Sequence, residues 1–232
     1  MCPLAGMLMG ATAENLVEKY GISRREQDEF ALESHQKAIK AMDEGRFKEE
    51  ILPIEVKTGK TVEVFQEEEI PRRDTNLEAL GKLPPVFKKD GTVTAGNSCA
   101  MADAAAAVVL MDEEVARVDG IKPMAVIRSY AAVGVDPKYM GIGPVYAIPK
   151  ALKRAGLSLS DIDLIELNEA FASQVIACER ELKWDRSRVN VHGGAIALGH
   201  PVAATGAKIL TTLLYALKQY DKTLGLASMC VG

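Results

Sequence analysis

Strand-like and helix-like segments alternate in the second half of the chain, and this alternation is the strongest constraint on its fold. The short apolar segments with the character of strands are residues 124–133, 162–167, 189–191 and 224–230. The longer segments with helical character are residues 145–155, 169–182 and 201–220. Such alternation favours an α/β architecture, in which helices pack on the faces of a sheet. The alanine-rich run at residues 102–107 predicts a helix slim enough to be buried between layers, so we expect at least three layers.

The density of charge divides the chain near residue 90. Of the first 90 residues 32 are charged, against 28 of the remaining 142. This contrast predicts a charge-rich, mainly helical domain over residues 1–90 and a more compact α/β domain over residues 91–232. In the first domain Ser23 and Glu26 have the spacing of a capping box. A helix is expected to follow them and to end at Gly45.

Composition excludes several classes of protein. A net charge of −4 does not supply the basic face of a nucleic-acid-binding protein. No apolar run of about 18 residues predicts a transmembrane helix, and the first ten residues lack the features of a secretory signal. The four cysteines are far apart and form no CxxC pair, which favours reduced thiols of a cytoplasmic protein over disulfides or zinc ligands. We therefore expect no nucleic acid, membrane or metal partner.

Asn168 directly follows the predicted strand at residues 162–167. Open α/β sheets bind their ligands at the carboxyl ends of strands, so an amide at this position is a candidate functional group. Its alternative role is to cap the helix that follows, and the two roles are compatible.

A glycine-rich segment, HGGAIALGHP at residues 192–201, ends in a histidine and a proline. Glycines permit sharp turns and a close approach of the backbone to a ligand, and Pro201 suits the first position of a helix. A helix start beside His200 would keep the imidazole neutral, a state that accepts a proton or donates a hydrogen bond. A lone histidine is often structural, and His192 is predicted to be a loop or packing residue. The glycine spacing does not fit the dinucleotide fingerprint, which disfavours a dehydrogenase.

Cys230 ends the last predicted strand and is followed by Val231 and Gly232. The usual role of such a cysteine is that of a buried structural thiol. A thiol that opens into a glycine turn is better placed to exchange protons, because the following amides stabilise the thiolate.

Together these segments resemble the signature blocks of the thiolase family, the coenzyme A-dependent acyltransferases that cleave or form 3-ketoacyl-CoA. The blocks NEAF (168–171), GGAIALGHP (193–201) and CVG (230–232) occur in the family's order. GTVTAGN (91–97), MGIGP (140–144), MG (9–10) and TAEN (12–15) also resemble family segments, so the resemblance covers essentially the whole chain. It implies a layered α-β-α fold, with a CoA-contacting loop domain over residues 1–90. Residues 91–232 would form the C-terminal domain, with its last strand missing.

The resemblance also implies roles for individual residues. Cys230 matches the cysteine that moves a proton at the α-carbon of the second substrate. His200 matches the histidine that activates the nucleophile and donates to an oxyanion hole. Asn168 matches the residue that orients a water in the same oxyanion hole. The Gly232 amide matches a donor of the second oxyanion hole. Five further residues match substrate-binding positions: Cys99, where the family commonly has serine, Met140, Phe171, Arg72 and Arg73. The implied substrates are coenzyme A thioesters, with no further cofactor.

No cysteine of this chain has the surroundings of the family's acylated nucleophile. The resemblance therefore implies a chain that lacks the N-terminal half and is inactive until that half is supplied. We expect thiolytic cleavage or Claisen condensation of acyl-CoA, with a homo-oligomer or a complementary N-terminal half as partner. The alternative is a catalytically inactive, truncated thiolase that folds, oligomerises or binds CoA without turnover.

Overall fold

A computed structural model describes all 232 residues of the chain, from Met1 to Gly232. Its helices are α1 (Met9–Tyr20), α2 (Arg24–Asp43), α3 (Leu77–Gly81), α4 (Glu113–Val118), α5 (Gly143–Ala155), α6 (Ala172–Leu182), α7 (Ala195–Leu198) and α8 (Thr205–Gln219). Its strands are β1 (Ile54–Thr58), β2 (Thr61–Phe65), β3 (Leu164–Leu167) and β4 (Gly225–Ser228). Short 3₁₀ helices cover Pro137–Ile142, Leu159–Asp161 and Arg186–Arg188.

A parallel pair of strands, β3 and β4, lies at the centre of the α/β part. Leu164 lies opposite Gly225, and Val189 joins the sheet through a bridge to Ile165. Side chains along β3 alternate between two faces, as a strand requires. Leu164 packs against α8, whereas Ile165 and Leu167 belong to the main core with residues of α5 and α6. This sandwich of helix, sheet and helix confirms the predicted α/β fold.

Helices α1 and α2 pack against α6, and α2 also contacts α7 in the glycine-rich loop. The predicted capping box begins α2: Ser23 Oγ accepts from the Glu26 amide at 3.2 Å, and the Glu26 carboxylate accepts from the Ser23 amide at 2.7 Å. Gly45 follows this helix with a φ of +68°. Through α2, the charge-rich first part of the chain directly supports a loop of the second part.

Two predicted elements do not form. Residues 102–107 form no helix and are mostly exposed, and residues 124–133 form no strand. Val109 and Leu110, next to the alanine run, are 87% and 70% exposed. An apolar pattern gives a segment the capacity to be buried, but burial also requires a neighbouring surface. Residues 103–110 and 124–128 have none and are exposed, whereas Ser129 reaches α5 and donates to the Ala151 carbonyl at 2.7 Å.

The remaining strands, β1 and β2, form an antiparallel hairpin in which Ile54 lies opposite Phe65. All ten residues of the hairpin are exposed. None of the helices combines the length and the apolar character needed to cross a membrane.

Candidate active site

Asn168 lies at the carboxyl end of β3, where its amide donates to the Ser228 carbonyl at 3.0 Å. Its side chain is 1% exposed, and neither Oδ1 nor Nδ2 has a hydrogen-bonding partner. The capping alternative is wrong, because α6 begins at Ala172 with Phe171 as its N-cap. An unpaired, buried carboxamide is costly, so these two atoms are available to a water or a substrate atom.

Cys230 lies two residues beyond β4, the strand that pairs with β3. Its thiol is 6% exposed and packs in a small cluster that includes Met140 and Phe171. Burial raises the pKa of this thiol to about 12. Gly232 lies nearby, since a Cβ built on it would be 3.1 Å from Met140 Cγ. Four of the predicted site residues therefore lie together beyond the end of β4.

His200 is held at two points. Its amide donates to the Ala100 carbonyl at 2.8 Å, and its Nδ1 lies 2.7 Å from Thr205 Oγ1. The Thr205 hydroxyl donates to the Pro201 carbonyl at 2.9 Å, so its oxygen accepts from Nδ1–H. By this assignment Nε2 is the basic nitrogen of the ring.

The cause of the histidine's neutrality differs from the one predicted. Helix α8 begins at Thr205, after a turn over residues 202–204, and Pro201 is not its first residue. The pKa of His200 is lowered first by burial and then by the positive charge of Lys208. Lys208 also donates to the Leu198 carbonyl at 2.7 Å, just before His200 in the chain.

The extended segment at residues 97–101 connects the turn after Asn168 to the loop that carries His200. The Cys99 amide donates to the Ala170 carbonyl at 3.0 Å, and the Ala100 amide donates to the Ala195 carbonyl at 3.3 Å. Cys99 is half-buried, and burial raises the pKa of its thiol to about 11. These bonds bring Asn168, Cys99 and the His200 loop to the same end of the β3–β4 sheet.

The two arginines differ in their contacts. The Arg73 guanidinium forms an exposed salt bridge with Asp43 at 2.6 Å. The Arg72 amide donates to His35 Nδ1 at 3.2 Å, and its side chain is exposed. Ile70, two residues earlier, lies against Gly199, because a Cβ there would be 2.7 Å from Ile70 Cδ1. The segment carrying Arg72 therefore passes beside the His200 loop, while Arg73 is occupied by Asp43.

His192 is a packing residue, as predicted. Its ring is buried between the rings of Phe47 and Tyr220, with centroids 5.8 Å and 5.6 Å away. Burial lowers the pKa of this imidazole to about 4. No group of three or more histidine, cysteine or carboxylate side chains is arranged to hold a metal ion.

Glu169 is a residue of the site region that sequence reasoning did not single out. Its side chain is 1% exposed and accepts hydrogen bonds from Ser34 Oγ at 2.7 Å, Asn190 Nδ2 at 2.9 Å and the Ile196 amide at 3.1 Å. Burial raises the pKa of this carboxyl, and the three hydrogen bonds oppose that shift. The only signal in the sequence is its position beside Asn168, because its partners are distant in the chain.

A second carboxyl, that of the half-buried Glu50, accepts from Thr212 Oγ1 at 3.3 Å on α8. Burial raises its pKa to about 7, so the native state favours the protonated form. We expect the resulting stability to be complete below about pH 4.5 and to be lost as the pH rises through 7, by up to about 3 kcal/mol. Glu50→Gln should flatten this decline in urea unfolding measured from pH 4.5 to 8. Glu49→Gln, at the exposed neighbouring residue, is the control, and an unchanged slope in Glu50→Gln would contradict the prediction.

Two family models match this chain. Residues 1–114 match the thiolase N-terminal domain, and residues 121–232 match the thiolase C-terminal domain. The chain belongs to the thiolase family. The predicted family is thus confirmed, but the prediction that this thiolase chain lacks the N-terminal half is wrong, because its first 114 residues are N-terminal-domain sequence. The predicted division at residue 90 stays a prediction.

Several proteins resemble this thiolase along its whole length. The acetyl-CoA acetyltransferase of Escherichia coli K12 is 54% identical over 232 residues, which are 100% of this chain and 59% of the relative. The 3-ketoacyl-CoA thiolase of Bacillus subtilis is 52% identical, over 97% of this chain and 60% of the relative. This chain therefore spans about three fifths of the length of these relatives.

Solved structures extend the similarity to the fold. The Bacillus anthracis acetyl-CoA acetyltransferase superposes with a TM-score of 0.97 at 50% identity, over 99% of this chain and 58% of the other. The human mitochondrial 3-ketoacyl-CoA thiolase in complex with CoA superposes with a TM-score of 0.89 at 48% identity, over 97% of this chain and 56% of the other.

Proposed function

We propose that this chain supplies acid/base and oxyanion-stabilising groups to a thiolase-type acyltransferase that acts on acyl-CoA thioesters. The observation that carries the proposal is the unpaired, buried carboxamide of Asn168 at the carboxyl end of β3. Cys230 follows the adjacent parallel strand, and the His200 loop is joined to the same turn through residues 97–101. The names of the relatives support the same chemistry.

Cys230 is the group that moves the α-proton. In condensation its thiolate takes a proton from the α-carbon of an acyl-CoA; the C–H bond breaks, and its electron pair passes to the thioester oxygen as an enolate. In cleavage the thiol returns that proton to the carbon of the departing enolate. Burial raises the pKa of Cys230, so its thiolate readily takes up a proton. Each transfer of the proton to the enolate is therefore followed by re-formation of the thiol.

His200 and Asn168 stabilise the developing oxyanion. The Nε2 of neutral His200 first takes the proton of the attacking thiol, and the resulting N–H then donates to the oxyanion. A water held by the free carboxamide of Asn168 is the second donor, and the Gly232 amide serves the second oxyanion hole. Each well-aimed donor contributes about 3–4 kcal/mol to the barrier reduction.

The acyl-accepting thiol comes from a complementary thiolase segment that carries the nucleophilic cysteine. Cys2 and Cys178 are completely buried, which makes them unsuitable nucleophiles. The exposed apolar residues near Val109 and Leu110 favour association with such a partner. Cys99, Met140 and Phe171 contact the pantetheine or acyl part of the substrate, and Arg72 and Arg73 lie toward its phosphates.

The bound molecules are CoA and its thioesters, without a further cofactor, and one human relative has been solved with CoA. The cytoplasmic location stays a prediction, since relatives in plants and humans are named peroxisomal and mitochondrial.

The test combines two measurements on the 232-residue chain, alone and mixed with the part of the E. coli relative that it does not match. In D₂O with acetyl-CoA, we expect the mixture to incorporate deuterium into the acetyl methyl group. Mass spectrometry should detect an acetyl adduct on the complementing segment only in the mixture. A mixture that binds CoA but gives neither exchange nor adduct would support the inactive alternative instead.

A further inference from the structure

We propose that Glu169, with Ser34 and Asn190, is a positioning residue that fixes the His200 loop relative to Asn168. Its effect on turnover rests on the function proposed above, whereas its effect on the loop does not. The Glu169 carboxyl group touches no reacting atom and acts through the backbone and side chains around the site.

Three separate parts of the chain donate to this one carboxylate. Ser34 comes from α2, Asn190 follows the bridge at Val189, and the Ile196 amide belongs to α7. Oε2 accepts from Ser34 and Ile196, while Oε1 accepts from Asn190. Three convergent donors make this carboxyl group their shared acceptor, and losing it would leave buried donors unsatisfied.

Ser34 connects the carboxylate to the glycine-rich loop. The Gly194 amide donates to Ser34 Oγ at 3.1 Å, and the same hydroxyl donates to Glu169 at 2.7 Å. A hydrogen-bonded relay therefore runs from the loop backbone through a residue of α2 to the residue next to Asn168. Both bonds are buried.

The two glycines of the loop allow this close approach. A Cβ on Gly194 would lie 2.2 Å from Glu169 Cδ, and one on Gly193, whose φ is +78°, would lie 2.6 Å from the Ser34 carbonyl oxygen. The loop backbone is thus pressed against the carboxylate on one side and against α2 on the other. Here the glycines fix the loop in place by allowing contact, which differs from the ligand-approach role predicted from the sequence.

Asn190 completes the arrangement on the Asn168 side. Its Oδ1 accepts from the Leu167 amide at 2.8 Å, and its Nδ2 donates to the Leu167 carbonyl at 2.9 Å as well as to Glu169. Asn190 therefore holds Leu167, the residue before Asn168. Glu169, the residue after Asn168, holds the loop that leads to His200. This geometry couples the positions of the two oxyanion-hole groups.

The first test is hydrogen–deuterium exchange of backbone amides on the 232-residue chain, which needs no activity. We expect Glu169→Gln and Ser34→Ala to accelerate exchange at residues 194–200 while α8 keeps its protection. Ser173→Ala is the matched control, because Ser173 is buried on α6 and its hydroxyl has no partner. Unchanged protection of residues 194–200, or a uniform loss along the whole chain, would overturn the inference.

The second test is turnover in the complemented mixture. Misplacing a catalytic group by about 1 Å costs about 100-fold, so Glu169→Gln should lower kcat by about that factor and leave KM within about twofold. In a His200→Ala background the same substitution should have little further effect, because both act on one group. A full additional loss there, or a rise in KM at constant kcat, would refute positioning. If the unmodified mixture shows no turnover, the proposed function fails, and the exchange experiment still decides the role of Glu169.

Discussion

The substitution Cys230→Ala is expected to slow deuterium exchange into the methyl group of acetyl-CoA by about 10³-fold, within the usual range for loss of a general acid or base. The reason is that the Cys230 thiolate takes the α-proton and no other thiol is packed in its cluster with Met140 and Phe171. The rate is measured by NMR on the complemented mixture in D₂O. Cys230→Ser, which replaces the thiol by a slightly smaller and much less acidic hydroxyl, should also be slow.

The control for this substitution is Cys178→Ala. Cys178 is equally buried, and its thiol donates to the Gly141 carbonyl at 3.4 Å, but it has no role in the proposed reaction. This variant should exchange at nearly the normal rate. The proposal for Cys230 would be abandoned if the folded Cys230→Ala protein exchanged within about tenfold of the unmodified chain.

His200→Asn is expected to lower kcat by about 10²–10³-fold, the usual cost of removing an oxyanion-hole donor. The substitution removes Nε2, which accepts the nucleophile's proton and then donates to the oxyanion. Because burial and Lys208 lower the pKa of His200, the imidazole stays neutral below its ordinary titration range. As the pH is lowered, kcat should therefore begin to fall at a lower pH than the one at which a free histidine is protonated.

The pH profile provides an independent check on His200. Lys208→Gln removes the positive charge and should raise the pKa of His200, which moves the acidic limb of kcat/KM to higher pH. Lys218→Gln, on the exposed end of the same helix, is the control and should leave the limb unchanged. A limb that moves equally in both variants, or in neither, would mean that His200 is not the titrating group.

Local sequence signals were sufficient for much of the α/β part. The strand and helix patterns located β3, β4, α5 and α6 because each is buried by neighbours within this chain. The ends of β3 and β4 then fixed Asn168 and Cys230 at the same edge of the sheet, since parallel strands share their carboxyl ends. The capping box of α2 was equally local, with partners three residues apart.

The rest depended on contacts that no local pattern contains. The hydrogen bond between Ser34 and Glu169 joins residues 135 positions apart, so neither was recognised in advance. Helix α8 begins at Thr205 and not at Pro201, and the Thr205 hydroxyl contacts His200, a side-chain contact that the local pattern does not contain. Residues 102–107 and 124–133 are mostly exposed, so their apolar composition predicted burial that this chain does not provide.

The contact between α2 and the glycine-rich loop bears on how far thiolase sequences can be recombined. A chimaera that joins residues 1–114 of one homologue to residues 121–232 of another would inherit positions 34 and 169 from different parents. Such a hybrid would keep the His200 loop in place only if it contained the hydroxyl at position 34, the carboxylate at position 169 and both glycines of the loop. In gene-shuffling experiments, functional hybrids should therefore be frequent among parents that share these groups and rare among parents that differ in them.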